Sequence, residues 1–208
     1  MMTSKNEPNK FDRTKGIGGS DATKIVAGEW KNLYLEKKGL KESDDLSFVL
    51  PVQMGIYTEP FNREWFAAHN NGLYVKEEPD TLYHKKYDYI YAHLDGYVLD
   101  DNFKKQGVFE AKHVRAYTKD QTILERYYAQ LQHYMMVTNL PRCWLSVLYG
   151  NHDYKAFVVD KDKKFQDKLL NAERTFWNHI INDEEPEEHV DIDELGVLEW
   201  VKIEYQDN

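Results

Sequence analysis

Hydrophobic residues recur with two periods along this chain, and the change of period separates predicted helices from predicted strands. Spacings of three and four indicate helices, whereas short β-branched and aromatic runs between turn residues indicate strands. The predicted helices cover 20–28, 30–38, 52–70, 118–138 and 163–181. The predicted strands cover 73–75, 81–83, 89–99, 107–114, 143–149 and 154–159. This order, with a strand meander in the middle, predicts a mixed α/β core.

Helix-end signals refine these boundaries. Ser20 follows a glycine-rich loop and is the predicted N-cap of the first helix, which Gly28 ends. The segment that starts at Thr118 matches a capping box for the fourth helix. Pro60 lies inside the third helix and is expected to kink it near Glu59, because proline removes a backbone donor.

Composition narrows the class of protein. With 208 residues, 41% of them hydrophobic, the chain is long enough for one domain with its own core. The single cysteine, Cys143, excludes an internal disulfide and a cysteine metal cluster. No apolar run is long enough to span a bilayer, so we expect a cytoplasmic protein without a membrane partner.

The net charge of −9 is unevenly distributed. Residues 183–208 contain eleven acids and one lysine, a charge of −10, which leaves residues 1–182 at +1. We therefore expect a loose N-terminal arm over 1–12, a folded domain over 13–182 and an acidic tail over 183–208. An acidic tail does not exclude a basic channel for nucleic acid elsewhere on the surface.

Charged residues interrupt two of the predicted strands. Glu110 and Lys112 are two apart and share one face of a strand, and a neighbouring strand brings Asp95 within reach. Two carboxylates, with the carbonyl of Ala111, suit Mg²⁺ or Mn²⁺, and the Lys112 ammonium then positions or activates a water molecule. This set predicts a nuclease centre. The competing interpretation is a routine surface Glu–Lys pair.

Two helical residues are candidates to support this centre. Glu59, at the expected kink, supplies a third carboxylate and helps to hold a second metal ion if its helix packs across the sheet. Tyr127, Gln130 and Tyr134 share a helical face, from which Gln130 would hydrogen-bond the water or a phosphate oxygen. A solvated glutamate and a satisfied interface glutamine are the alternatives.

A second candidate site lies at the start of the first helix. Backbone N–H groups at a helix start attract anions, and Arg13 and Ser20 would add specificity there. An ordinary N-cap is the alternative. Arg115 and Lys119 follow the proposed centre and are candidates to contact DNA, or else belong to a solvated face. Structural or peripheral roles are expected for His93, His113 and His133.

Five motifs occur together in a recognisable order. They are Arg13 with Gly18-Gly19-Ser20-Asp21, Met54-Gly55 with Glu59-Pro60, Leu94-Asp95-Gly96, Glu110-Ala111-Lys112, and Tyr127 with Gln130 and Tyr134. In this order the chain resembles the YqaJ-type viral recombinase nucleases, relatives of phage lambda exonuclease, over about residues 13 to 180. The resemblance implies a restriction-endonuclease-like fold, in which helices flank a central mixed sheet.

The resemblance also implies an activity, namely Mg²⁺-dependent degradation of one strand of duplex DNA from the 5′ end. It implies metal ligation by Asp95 and Glu110, with Glu59 at a second ion, and a catalytic role for Lys112. Gln130 and Tyr127 would support the lysine. Arg13 and Ser20 would bind the terminal 5′ phosphate.

Lambda-type members form a ring trimer around DNA and work with a single-strand annealing protein, and they act in the bacterial host of a phage or prophage. The same assembly and partner are expected here by resemblance. Two alternatives remain at this point. One is a RecB-like repair nuclease without an iron–sulfur cluster, and the other is a catalytically silent module that binds DNA ends.

Overall fold

The computed structural model of the chain describes residues 12–42, 45–188 and 190. A short 3₁₀ helix over Arg13–Lys15 precedes the regular elements. The helices are α1 (Gly19–Val26), α2 (Trp30–Lys37), α3 (Leu50–His69), α4 (Asp120–Thr138) and α5 (Lys163–Asn182). The strands are β1 (Leu73–Lys76), β2 (Leu82–Tyr83), β3 (Tyr91–Ala92), β4 (Gly96–Asp100), β5 (Lys105–Val114), β6 (Arg142–Tyr149) and β7 (Asp153–Asp160).

Five strands form one mixed sheet in the order β1-β4-β5-β6-β7. The central pair, β5 and β6, is parallel, and the other neighbouring pairs are antiparallel. Parallel neighbours need a long connection, which α4 supplies. The predicted mixed sheet flanked by helices is therefore confirmed.

The side chains on the two faces of β5 pack into two different hydrophobic cores. Val108 belongs to the larger core, which includes residues of α1, α2, α4 and α5. Phe109 faces the opposite side and packs against Phe66 of α3, with ring centroids 5.2 Å apart. Because side chains alternate along a strand, Glu110 and Lys112 lie on the α4 side. The sheet therefore lies between α3 and α4, and the charged residues face α4.

The predicted single strand over 89–99 was wrong, since β3 and β4 are separate. β3 pairs with β2 in a two-stranded sheet of its own, so the four predicted strands do not form one meander. β4 begins at Gly96, whose φ of +158° is a backbone conformation that other residues rarely adopt, and a Cβ there would lie 2.6 Å from the Lys76 carbonyl oxygen. This close approach is possible only for glycine. Asp95 lies in the break and is not part of a strand.

Two predicted caps were also wrong. The N-cap of α1 is Gly18, whose N–H donates to the Asp21 carboxylate at 2.9 Å, so that Ser20 is already inside the helix. Asp21 takes over the capping interaction because the chain is extended at Gly18. The N-cap of α4 is Lys119, without a side-chain cap, because the Thr118 hydroxyl donates to the Arg115 carbonyl instead.

The first residues of the predicted acidic tail pack against α2. Asp183 pairs with Lys38 at 2.8 Å, and Glu185 pairs with Lys31 at 2.7 Å. The rest of the predicted tail, 189 and 191–208, and residues 1–11 of the predicted arm lie outside the described residues. Among the described helices, none is both long and apolar enough to cross a bilayer.

Candidate active site

The break before β4 and the middle of β5 bring two carboxylates together. Gly96 is paired with Phe109 in the antiparallel ladder, which places Asp95 beside the next residues of β5. The Ala111 N–H donates to Asp95 Oδ2 at 2.8 Å. The predicted juxtaposition of Asp95 with Glu110 and Lys112 is thus present in the structure.

Glu110 is only 2% exposed, and two neighbouring side chains hold its carboxylate. Its Oε1 atom accepts hydrogen bonds from Lys112 Nζ and, at 2.9 Å, from Gln130 Nε2. Gln130 also donates to the Tyr134 hydroxyl at 2.7 Å. Both carboxylate-facing donors therefore meet at one oxygen. Glu110 Oε2 is buried and has no hydrogen-bond partner among the described residues.

The buried charges change one another's protonation. Burial raises the pKa of Asp95 to about 7, and the nearby Glu110 carboxylate adds to the rise. Burial also raises the pKa of Glu110, although Lys112 opposes the shift. Burial alone would lower the pKa of Lys112, but Glu110 and Asp95 outweigh it and raise the pKa. Lys112 is consequently an ammonium at neutral pH.

These residues fit a divalent cation. An unpartnered carboxylate oxygen in a buried position is costly unless a cation approaches it. Mg²⁺ in proteins usually binds one or two carboxylates and keeps several water molecules. Asp95, Glu110 and the Ala111 carbonyl make up such a set. A cluster of three His, Cys, Asp or Glu close enough to hold a metal does not occur in the described part of the chain.

Glu59 faces the same region without joining the two carboxylates. Its carboxylate pairs with Arg63, one helical turn further along α3, and burial raises its pKa with a further contribution from Asp95. Arg63 also donates to the Asp95 carbonyl at 3.3 Å. Sequence analysis missed Arg63, although its spacing of four from Glu59 on a helix was a usable signal.

An open cleft of about 990 Å³ leads to this centre. Asp95, Ala111, Lys112 and Glu59 line it, together with Arg115, Arg126 and Tyr127. The Tyr127 ring lies 4.7 Å from Lys112 Nζ, a cation–π contact. Lys119 is exposed and lies outside the cleft lining. The cleft lining therefore combines acidic residues with basic ones.

The two residues of the predicted anion site lie together at the start of α1. The Arg13 guanidinium donates to Ser20 Oγ at 2.6 Å, and both residues are exposed. Gly19 lies against α4, because a Cβ there would be 2.5 Å from Tyr134 and 3.0 Å from Gln130. Gly19, which precedes Ser20 in the chain, therefore packs against Gln130, the side chain that holds Glu110.

The three histidines lie in different surroundings. His133 is buried, bonded at 2.7 Å to Glu173 and at 2.8 Å to the Tyr91 carbonyl. His113 lines the cleft and contacts the Thr58 hydroxyl at 3.2 Å. His93 is exposed and contacts Thr81. The contacts of His133 connect α4 with α5 and with β3.

A known protein family matches more than half of the sequence. The model of the YqaJ-like viral recombinase domain matches residues 10–141, more than half of the chain. The chain belongs to this family. The uncharacterized protein YqaJ of Bacillus subtilis (strain 168) is 29% identical over 181 residues, which cover 81% of this chain and 54% of YqaJ. The chain thus spans about half the length of that relative.

Several solved structures with a similar fold are of exonucleases. The alkaline exonuclease LHK-Exo of Laribacter hongkongensis, in complex with dAMP, has a TM-score of 0.68 and 19% identity over 83% of this chain and 91% of LHK-Exo. The phage related exonuclease of Haemophilus somnus 129PT has a TM-score of 0.62 and 12% identity over 81% of this chain and 96% of that protein. At these identities the similarity establishes the fold.

Proposed function

We propose that this protein is a Mg²⁺-dependent exonuclease that degrades one strand of linear duplex DNA from the 5′ end. The single-stranded tails that it leaves would be substrates for recombination by strand annealing. The observation that carries the proposal is the pairing of Asp95 with Glu110 beside the Lys112 ammonium, next to an open cleft that Asp95 and Lys112 line. Family membership and the exonuclease fold support it.

Asp95, Glu110 and the Ala111 carbonyl would hold the metal ion. When bound, Mg²⁺ polarises a phosphoryl oxygen and makes a water molecule more acidic. Gln130 and Lys112 fix the Glu110 carboxylate from one side, which leaves Oε2 available. Glu59 would contribute to a second ion if it exchanged Arg63 for metal.

Lys112 would orient the attacking water rather than take its proton. The raised pKa of Lys112 keeps this side chain protonated, and an ammonium group can only donate hydrogen bonds. Its positive charge also stabilises the negative charge that develops on the phosphate during attack. The attacking oxygen bonds to phosphorus while the bond from phosphorus to the departing strand oxygen breaks. The proton of the attacking water passes to solvent, and the departing oxygen takes up a proton from solvent in turn.

The Arg13–Ser20 pair would recognise the terminal 5′ phosphate. Guanidinium groups bind phosphate through paired N–H donors, and the hydroxyl and the first amides of α1 supply more donors. Arg115 and Tyr127, which line the cleft, would contact the DNA strand, with Lys119 outside the lining as a phosphate contact. The further proposals from the family resemblance are a ring trimer and a single-strand annealing protein as partner.

A digestion assay tests the catalytic centre. Linear duplex DNA is incubated with Mg²⁺ or with EDTA, and strand loss is followed on denaturing gels. We expect loss of one strand only with Mg²⁺, and a decrease of at least about 100-fold in Lys112→Ala, because a charged donor to the transition state is lost. Lys104→Ala, an exposed lysine near the start of β5, is the matched control. Digestion that Lys112→Ala leaves unchanged would contradict the mechanism, and metal-independent binding to ends without digestion would indicate a silent end-binding module.

End recognition is tested with duplexes that carry a 5′ phosphate or a 5′ hydroxyl. We expect faster digestion of the phosphorylated duplex and loss of that preference in Arg13→Ala. Lys15→Ala, which removes an exposed charge two residues away, is the control. Equal rates on both ends with the unmodified protein would reject the recognition role. A native mass measurement tests the trimer separately.

A further inference from the structure

Asp21 and Lys37 form a buried ion pair that the proposed chemistry does not use. Lys37 Nζ lies 2.6 Å from Asp21 Oδ2, and the two side chains are 4% and 5% exposed. Burying two charges is costly, and an apolar pair of similar size often serves stability equally well. The pair therefore requires an explanation beyond stability, and its other contacts supply one.

Both members of the pair bind the backbone of one segment, residues 13–18. Lys37 Nζ donates to the Arg13 carbonyl oxygen at 2.7 Å. The Gly18 N–H donates to Asp21 Oδ2 at 2.9 Å. The ion pair thus joins the two ends of the segment to each other and attaches them to α2.

The Arg13 side chain continues from one of these attachment points. Its guanidinium reaches Ser20 Oγ on the first turn of α1, the helix that also carries Asp21. The carbonyl that Lys37 holds belongs to the same residue as this guanidinium. Movement of the Lys37 contact would therefore move the base of the Arg13 side chain relative to Ser20.

We infer that the buried Asp21–Lys37 pair positions Arg13 and Ser20 for the DNA 5′ phosphate. This inference rests on the proposed function. Asp21 and Lys37 are positioning residues, since each is buried and acts through the Arg13–Gly18 backbone. Recognition of a phosphate by two N–H donors requires fixed geometry, and a displacement of about 1 Å is enough to weaken it strongly.

Two variants separate positioning from folding. Lys37→Met removes the donor to the Arg13 carbonyl at similar side-chain length, but it leaves the Asp21 carboxylate buried without its countercharge. The double variant Asp21→Asn with Lys37→Met leaves no buried charge and keeps an oxygen acceptor for the Gly18 N–H. Lys24→Met is the matched control, because Lys24 pairs with Glu36 at 2.7 Å and also connects α1 with α2.

The readout is the ratio of dissociation constants for duplexes with a 5′ hydroxyl and a 5′ phosphate, measured by fluorescence anisotropy in EDTA. We expect the unmodified protein to prefer the phosphate, and both Lys37 variants to lose about tenfold of that preference. Lys24→Met should keep the ratio. Thermal melting and the Mg²⁺-dependent digestion of 5′-hydroxyl duplexes report whether each variant is folded and its metal centre is intact.

The outcomes are distinguishable. If the phosphate preference is lost in Arg13→Ala but kept in a folded Lys37 variant, the positioning role is overturned and the proposed function stands. A lower melting temperature with an unchanged ratio has the same meaning, since it shows that the pair only stabilises the fold. If the unmodified protein has no phosphate preference, both the inference and the proposed end recognition fall.

Discussion

Replacement of Gln130 by leucine would test whether the α4 face controls the proposed metal centre. Gln130 is 8% exposed, and its amide donates to Glu110 Oε1 at 2.9 Å. A hydrogen bond to a charged group contributes about 1.5–3 kcal/mol, or about 10- to 150-fold in an equilibrium or rate constant. Lys112 still holds the same oxygen in the variant. We therefore expect the lower end of that range, about tenfold.

The assay is a Mg²⁺ titration of the initial rate of strand loss. In Gln130→Leu the Mg²⁺ concentration for half-maximal rate should rise. Without the Gln130 hydrogen bond the Glu110 carboxylate can adopt more rotamers, and Mg²⁺ binding must then restrict it to one of them. Gln132→Leu is the control, since Gln132 is also buried on α4 but bonds the Asp160 carbonyl and the Asp162 N–H. It should cost stability without changing the Mg²⁺ dependence. Equal titration curves for Gln130→Leu and the unmodified protein would refute the reasoning.

The remaining predictions concern stability. Gly19→Ala should lower the urea midpoint by the equivalent of about 1–3 kcal/mol, because the new Cβ would meet Tyr134 at 2.5 Å. Gly55→Ala, where the Cβ would meet nothing within 4 Å, should instead stabilise α3 by about 0.5–1 kcal/mol, and equal effects would contradict the packing argument. Burial alone lowers the pKa of His133, but Glu173 outweighs it and raises the pKa above the ordinary 6.5. The resulting stability is therefore fully present below pH 6.5 and is lost as the pH rises through the folded-state pKa. Urea midpoints between pH 6 and 9 should show this loss of stability in the unmodified protein but not in His133→Gln. The same pH dependence in both proteins would show that the His133–Glu173 pair is not the source of the loss.

Local patterns were sufficient to predict most elements. The period of three and four residues located α3, α4 and α5 within a few residues of their observed bounds, because each helix buries a face against the sheet or a neighbouring helix. The alternation along β5 also placed Glu110 and Lys112 on one face. That face could be predicted from the sequence since strand geometry fixes it without any partner.

Long-range packing decided the rest. The sequence could not show that β3 leaves the main sheet, because strand pairing is a contact between separate segments and β3 pairs with β2 rather than with a strand of that sheet. Nor could it show that Gly18 caps α1, since the Asp21 carboxylate that receives its N–H is fixed by Lys37 on another helix.

The candidate site divides in the same way. Sequence alone determined which residue types, two acids and an amine, are available for metal-assisted chemistry, because a strand that carries charges among apolar neighbours requires partners. Only the tertiary structure decided that Gln130 holds Glu110, that Arg63 reaches the Asp95 carbonyl, and that the buried Asp21–Lys37 pair lies under Arg13. These pairings join residues far apart in the chain or depend on side-chain direction, and burial makes each of them specific by excluding water as the alternative partner.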